Sequence, residues 1–275
     1  MRTEERVRRV FADLRQRYGG SFADDPGTAL ARVTVETKDP FKVLISTILS
    51  QRTRDEKTEE ASARLFAKYA TPEAVARAPV RELRELIRPA GFYRQKAPKI
   101  REVSRILLRE YGGRVPDTFE ELVALPQVGP KTANCVLVYG YGKPAIPVDV
   151  HVAVISRRLG LAPPTANEEE VERRLSRVVP RELWLQLNEW FVRFGKEVCR
   201  TAAPRCDVCR LTHVCLYFRH VRSRRSLKTA GSSRGISDRT GSRAPGGTAS
   251  GRRPRNMRRS SRARRRRPPT SFRAR

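Results

Sequence analysis

The chain has 275 residues, enough for one large domain or two compact lobes. Its 58 Lys and Arg against 29 Asp and Glu leave a formal charge of +29, which argues against an acidic, salt-adapted surface and points to a polyanionic partner, nucleic acid ahead of an anionic membrane surface. There is no apolar run of about eighteen residues to suggest a transmembrane helix, and MRTEERVRR has no apolar signal core, so an intracellular, cytoplasmic protein is expected; five cysteines, four of them within seventeen residues, do not resemble a secreted disulfide framework.

Thr3 to Tyr18 reads as a helix, with Val7, Phe11 and Leu14 on one face. A Gly-, Pro- and Asp-rich connection is expected from there to Pro40. PFKVLISTILSQRTRDEKTEEASARLFAKY gives two helices, the first apolar nearly all round and therefore buried, the second beginning near Asp55 as N-cap. TPEAVARA and PVRELRELIR read as short helices opened by proline, and RQKAPKIREVSRILLREYGG as a long one closed by Gly112 and Gly113.

Phe119 to Ala124 is a short amphipathic helix ended by Pro126. Gly129 supplies a turn, Pro130 opens a new helix, and that helix runs on through Lys131, Asn134, Val136 and Leu137. A turn of this kind, with Gln127 and Gly129 in it, leaves backbone N–H groups free for an anion such as a DNA phosphate, which positions DNA without reading sequence. Lys131, near that helix start, is expected to lose its proton readily, because desolvation, positive surroundings and the helix dipole all disfavour the ammonium. A neutral lysine can form a Schiff base; read alone, however, Lys131 is a solvated surface lysine. Asp149 in VDVH starts the next helix, either as a plain N-cap or as a cap that also does chemistry. Asn167 caps NEEEVERRLSRVV, and Pro180 leads into RELWLQLNEWFVRFGKEVC. Period-two alternation is nearly absent, so the fold class is all-α.

Cys199, Cys206, Cys209 and Cys215 form C-x6-C-x2-C-x5-C. Four thiolates so spaced suit a soft metal or an iron–sulfur cluster, whereas structural zinc more often uses two close pairs set further apart. Lys196, Arg200 and Arg205 lie on or beside this loop and can meet phosphates. Cys135, one turn after Lys131, reads as a small buried residue. From residue 219 onward there are twenty Lys and Arg and one acid, carrying +19 of the net charge in 57 residues with few apolar side chains. Such a segment is expected to be a disordered basic tail that binds nucleic acid without specificity, or a dispensable extension.

LPQVGPKTAN followed by VDVH resembles the helix-hairpin-helix DNA glycosylases, specifically the endonuclease III branch. The resemblance spans roughly residues 1 to 218 and includes the cysteine spacing at every interval. It implies that Lys131 is the catalytic lysine, that Asp149 is the catalytic aspartate and that the four cysteines hold a [4Fe-4S] cluster. Gln127 stands where the hairpin usually has its first glycine, and Val150 replaces a commoner threonine. ILSQRTRD resembles the L-S-x-Q-x-x-D segment, which gives Gln51 the task of filling the space left by an extruded base; GFY resembles the G-L-Y loop, which makes Phe92 a wedge. Read alone, Gln51 is a polar helix end and Phe92 a buried aromatic.

The resemblance also implies two helical lobes with the active site in the cleft between them: a six-helix bundle over 33–142, and a cluster lobe of 1–32 and 143–218. The implied activity is base-excision repair of double-stranded DNA, with release of damaged pyrimidines and β-elimination at the abasic site by a monomeric enzyme at the nucleoid. An adenine glycosylase of the same superfamily is the alternative, but that branch lacks the lysine and carries an acid where this chain has Ser46. A thymine-mismatch glycosylase is disfavoured for the same lysine, and a non-catalytic hairpin protein leaves Lys131 and Asp149 without a purpose.

Overall fold

The computed structural model describes residues 1–221, and the described residues hold helices and turns but no strand. The helices are α1 (Thr3–Tyr18), α2 (Ala29–Thr37), α3 (Pro40–Ser50), α4 (Asp55–Lys68), α5 (Pro72–Arg77), α6 (Val80–Leu86), α7 (Tyr93–Tyr111), α8 (Phe119–Ala124), α9 (Pro130–Cys135), α10 (Val150–Leu159), α11 (Glu168–Val178) and α12 (Trp184–Glu197). The class is all-α. Residues 216–221 are helical, so the tail expected from 219 does not begin there; the remainder of that segment lies outside the described residues.

Local chemistry explains most boundaries. Thr28, Asp39, Thr71, Thr118, Asp149 and Asn167 each accept a first-turn N–H through the side chain, closing α2, α3, α5, α8, α10 and α11. Each such cap is worth about 1 kcal/mol. α7 ends on Gly112 at φ 59° with Gly113 at φ 80°, where a residue without Cβ is at ease.

Three expectations are corrected. The connection from Tyr18 to Pro40 contains α2, whose ALARVTVET is rich in β-branched residues and gives a weak helical signal by itself. Packing of Leu30, Ala31 and Val33 against the core decides for helix. Asp55 is the first residue of α4, not its cap; Arg54 holds the cap position without a side-chain bond. The helix from Pro130 does continue past Cys135, but as a π-turn over Val136–Gly140.

Buried apolar side chains form two clusters. One runs from Leu30 to Ala145 and centres on α3, where Val43, Leu44, Ile45, Ile48 and Leu49 are fully buried. The other joins α1 to residues from Ile146 to Cys215, with Phe11 against Trp190 and Phe191 at ring separations of 6.1 and 5.8 Å. Each buried Leu, Ile or Phe contributes about 1.5–3 kcal/mol. Polar groups join the two. Buried Glu189 accepts from the Gly27 N–H at 2.8 Å and the Thr28 hydroxyl at 2.5 Å. The Tyr139 hydroxyl from the π-turn donates to Asn188 Oδ1 at 3.0 Å, and Asn188 Nδ2 donates to the Pro147 carbonyl at 2.8 Å. Burial raises the Glu189 carboxyl above the usual range, so this network stands only because donors surround it.

Candidate active site

Lys131 is the second residue of α9 and half-buried. Asp149 precedes α10 from the other cluster, and its Oδ1 accepts the Val152 N–H at 2.8 Å, which fixes the carboxylate. Both line one cavity of about 640 Å³, together with Gln51, Asp55, Asn188 and Lys196. The structure thus brings together two residues that lie eighteen apart in sequence on separate helices.

The electrostatics differ from the sequence expectation. Burial works against the Lys131 ammonium, but the Cys135 sulfur, Asp149 and Asp55 outweigh it and hold the proton above the ordinary lysine range. Burial in turn pushes the Cys135 thiol up, and the neighbouring Lys131 ammonium works against that rise. Neither the helix dipole nor the basic surroundings strip this lysine.

The turn before α9 is built in an unexpected way. Gly129 is extended, at φ −92° and ψ −180°, and a Cβ there would meet nothing within 4 Å. The left-handed position is Gln127, at φ 66°. A side chain there costs about 1–2 kcal/mol, and the turn is held from outside: Gln51 Nε2 donates to the Gln127 carbonyl at 2.9 Å and to Thr132 Oγ1 at 3.3 Å. Gln51 therefore lies across the hairpin turn. Phe92 is 48% exposed, so it is no buried aromatic, and the Arg52 guanidinium stands 4.6 Å from its ring centre. Ser46 is buried and bonded to Ser62 Oγ at 2.9 Å.

Lys196 is not turned toward the cysteine loop. Its Nζ pairs with Asp55 Oδ2 at 2.5 Å, and Asp55 also accepts the Ala29 N–H at 3.4 Å. Arg200 and Arg205 are exposed on that loop. Cys199, Cys206, Cys209 and Cys215 all line one small, mostly apolar cavity, and no disulfide links the five cysteines, all of which lie among the described residues. Burial raises the Cys215 thiol and pushes Cys209 up to about 11. Four sulfurs around one small cavity, with burial raising the thiols of Cys209 and Cys215, form a donor set that a bound cation would relieve. Among the described residues, no three His, Cys, Asp or Glu side chains are placed around a single metal ion.

Sequence reasoning missed three contributors. Asp55 is the acid of the ILSQRTRD segment and was read only as a cap. Asn188 reaches the cavity through the fold alone. Arg158 donates to the carbonyls of Cys199, Arg200 and Thr201 at 3.2, 2.8 and 2.6 Å, clamping the cysteine loop from α10, and nothing in the spacing of the cysteines signals it.

Residues 45–181 match the HhH-GPD superfamily of base excision DNA repair proteins. The chain is 52% identical over 181 residues to endonuclease III of Thermotoga maritima, covering 66% of this chain and 84% of that one. It is 37% identical over 178 residues to endonuclease III of Escherichia coli, with 65% and 84% covered. Among solved structures it is similar to a trapped endonuclease III–DNA covalent intermediate, with TM-score 0.72 and 33% identity over 81% of this chain and all of that one. A thermostable thymine-DNA glycosylase aligns less fully, at TM-score 0.63 and 27% identity over 67% of this chain and 86% of that one.

Proposed function

Because the chain belongs to the endonuclease III branch of the HhH-GPD base excision repair superfamily, and is thereby a bifunctional DNA glycosylase and abasic-site lyase, we propose that Lys131 and Asp149 carry out its chemistry on damaged pyrimidines in double-stranded DNA. The observation that carries this is their placement on one cavity beside the hairpin turn.

A base inside the duplex is out of reach, so the nucleotide is extruded into the cavity. Gln51 leaves its bonds to Gln127 and Thr132 and, with Phe92, occupies the gap. Backbone N–H groups at Gly129 and the start of α9 meet phosphate, as do Arg200 and Arg205. Asp149 stabilises positive charge developing on the sugar and accepts the Lys131 proton. The neutral amine forms a bond to C1′ as the bond to the base breaks, and the base leaves with the electron pair and a proton. The amine then gives up a proton as the C1′–O4′ bond breaks and O4′ takes one up, which opens the sugar ring to a protonated Schiff base; this acidifies the neighbouring C2′ proton, and β-elimination expels the 3′ phosphate. Lys196, held by Asp55, neutralises charge at the cavity wall and does not reach the loop phosphates.

The four cysteines fit a [4Fe-4S] cluster, which when bound supplies a rigid, buried anchor for the loop bearing Arg200 and Arg205. Their spacing and their place around one small cavity support it, and no step of the reaction passes through it. No helix among the described residues is long and apolar enough to cross a membrane; action on chromosomal DNA would put the protein at the nucleoid.

Sodium borohydride should trap the protein covalently on abasic DNA, and Lys131→Gln should abolish trapping while keeping DNA binding; efficient trapping by the variant would reject the assignment. Purified protein should contain iron and acid-labile sulfide, both lowered in Cys206→Ser and unchanged in Cys135→Ser. One zinc and no iron would overturn the cluster.

A further inference from the structure

Gln51 and Phe92 stand on two turns far apart in sequence, and one buried ammonium ties those turns together. Lys96, the fourth residue of α7, is 5% exposed. Its Nζ donates to the Leu49 carbonyl at 2.7 Å, the Gln51 carbonyl at 2.6 Å and Thr53 Oγ1 at 3.1 Å. It thereby closes the end of α3, whose last carbonyls have no partner within the helix. Thr53 Oγ1 also accepts the N–H of Gly91 at 3.0 Å, the residue before Phe92. The two backbones approach so closely that a Cβ on Gly91 would stand 2.6 Å from the Arg52 carbonyl oxygen. Arg52 then covers the Phe92 ring. Both Arg52, at φ 54°, and Phe92, at φ 58°, hold left-handed backbones that side-chain-bearing residues rarely adopt.

This is a costly way to close a helix. All three acceptors of the ammonium are uncharged, and burial alone lowers its proton affinity, to a pKa of about 8. A methionine would fill a similar volume with no charge to desolvate. What packing alone does not supply is a donor that reaches both sides of the first turn and, through Thr53, the second.

We infer that Lys96 is a positioning residue for lesion engagement: its ammonium locks the Gln51 and Phe92 turns into one rigid unit, so that both side chains enter the duplex together as the damaged nucleotide leaves. This rests on the reading of Gln51 and Phe92 as the inserting residues. Without the pin each turn would have to be ordered separately on the DNA, at the expense of the extruded state.

The experiment uses the full chain with Lys96→Met and Thr53→Val. The second variant is isosteric and removes the oxygen shared by Lys96 and Gly91. Two readouts are taken: fluorescence of 2-aminopurine opposite a tetrahydrofuran abasic analogue in a duplex, and single-turnover borohydride trapping on duplex and on single-stranded abasic DNA. In Lys96→Met the fluorescence change should be lost and duplex trapping should fall about tenfold or more, with a smaller loss in Thr53→Val. Trapping on single-stranded abasic DNA, where no opposite base has to be displaced, should stay close to wild type in both. A parallel loss on both substrates would show a merely structural role and overturn the inference, as would unchanged duplex trapping. If Lys96→Met fails to fold, Thr53→Val decides by the same criteria. Gln51→Ala and Phe92→Ala are run alongside. If they leave duplex trapping and fluorescence unchanged, the insertion reading itself fails; if they impair both while Lys96→Met and Thr53→Val do not, only the role of Lys96 is lost.

Discussion

Two lysines among the described residues, Lys131 and Lys96, are opposite in character. Lys131 stands at the cavity, where the Cys135 sulfur, Asp149 and Asp55 hold its proton above the ordinary range. Lys96 sits under the two turns, bonded to uncharged oxygens, and burial pushes it down to about 8. By proton affinity alone Lys96 is the better nucleophile. It faces the protein interior, however, and its lone pair has nothing to attack. Geometry selects the nucleophile, and the carboxylates that keep Lys131 charged in the free protein are also the groups placed to take its proton when a sugar arrives.

The harshest way to break this comparison is to remove each lysine in turn. Lys131→Gln should leave no trapping on any abasic substrate, single-stranded DNA included, whereas Lys96→Met should still trap there. If the two variants behave alike, the division of labour between them is wrong. Next in size is Asp149→Asn, expected to slow base release about 100-fold or more while DNA affinity changes little. A nearly normal rate would leave Asp149 as a cap for α10 and nothing else.

The pH dependence sharpens the contrast. With its folded pKa raised, Lys131 is protonated across the neutral range, so the reactive amine grows as pH rises. Single-turnover trapping should climb from pH 6 to 9 by up to about tenfold per unit. Asp55→Asn removes one of the carboxylates that hold the proton and should move the profile to lower pH. A flat profile would mean that proton loss from Lys131 does not govern the step.

The smallest effect is on stability and belongs to Lys96. Its folded pKa of about 8 lies below the ordinary 10.5. Between those values the unfolded chain binds more protons, so the contribution of this group to stability rises with pH from about 8 to about 10.5. Below pH 8 its desolvation penalty is fully present, on the order of 3 kcal/mol at most. Urea midpoints for the wild type and Lys96→Met, compared from pH 7 to 10, should shift in favour of the wild type as pH rises. A difference that does not change with pH would mean the ammonium is solvated.

What could be read from the residues alone was whatever depends on neighbours in the chain. The bounds of α1 and α8, the caps at Asp149 and Asn167 and the burial of α3 all follow from local pattern and capping chemistry. So does the cysteine spacing, because one loop must wrap one centre. The hairpin was recognisable through LPQVGPKTAN, although the sequence points to Gly129 as its special position.

Tertiary structure alone decided the rest, because each of these features depends on a partner distant in sequence. α2 forms because the core takes up Leu30 and Val33, which outweighs a weak helical preference. Gln127 can hold a left-handed backbone because Gln51, 76 residues away, bonds to its carbonyl. Asp55 becomes part of the site only when α12 brings Lys196 to it across 141 residues. The raised proton affinity of Lys131 has both origins: the Cys135 sulfur lies one turn further along the same stretch of chain, while Asp149 and Asp55 arrive through the fold. Hydrogen bonds and Coulomb attraction act over a few ångströms of space whatever the separation along the chain, and only the packed structure determines which groups come within that range.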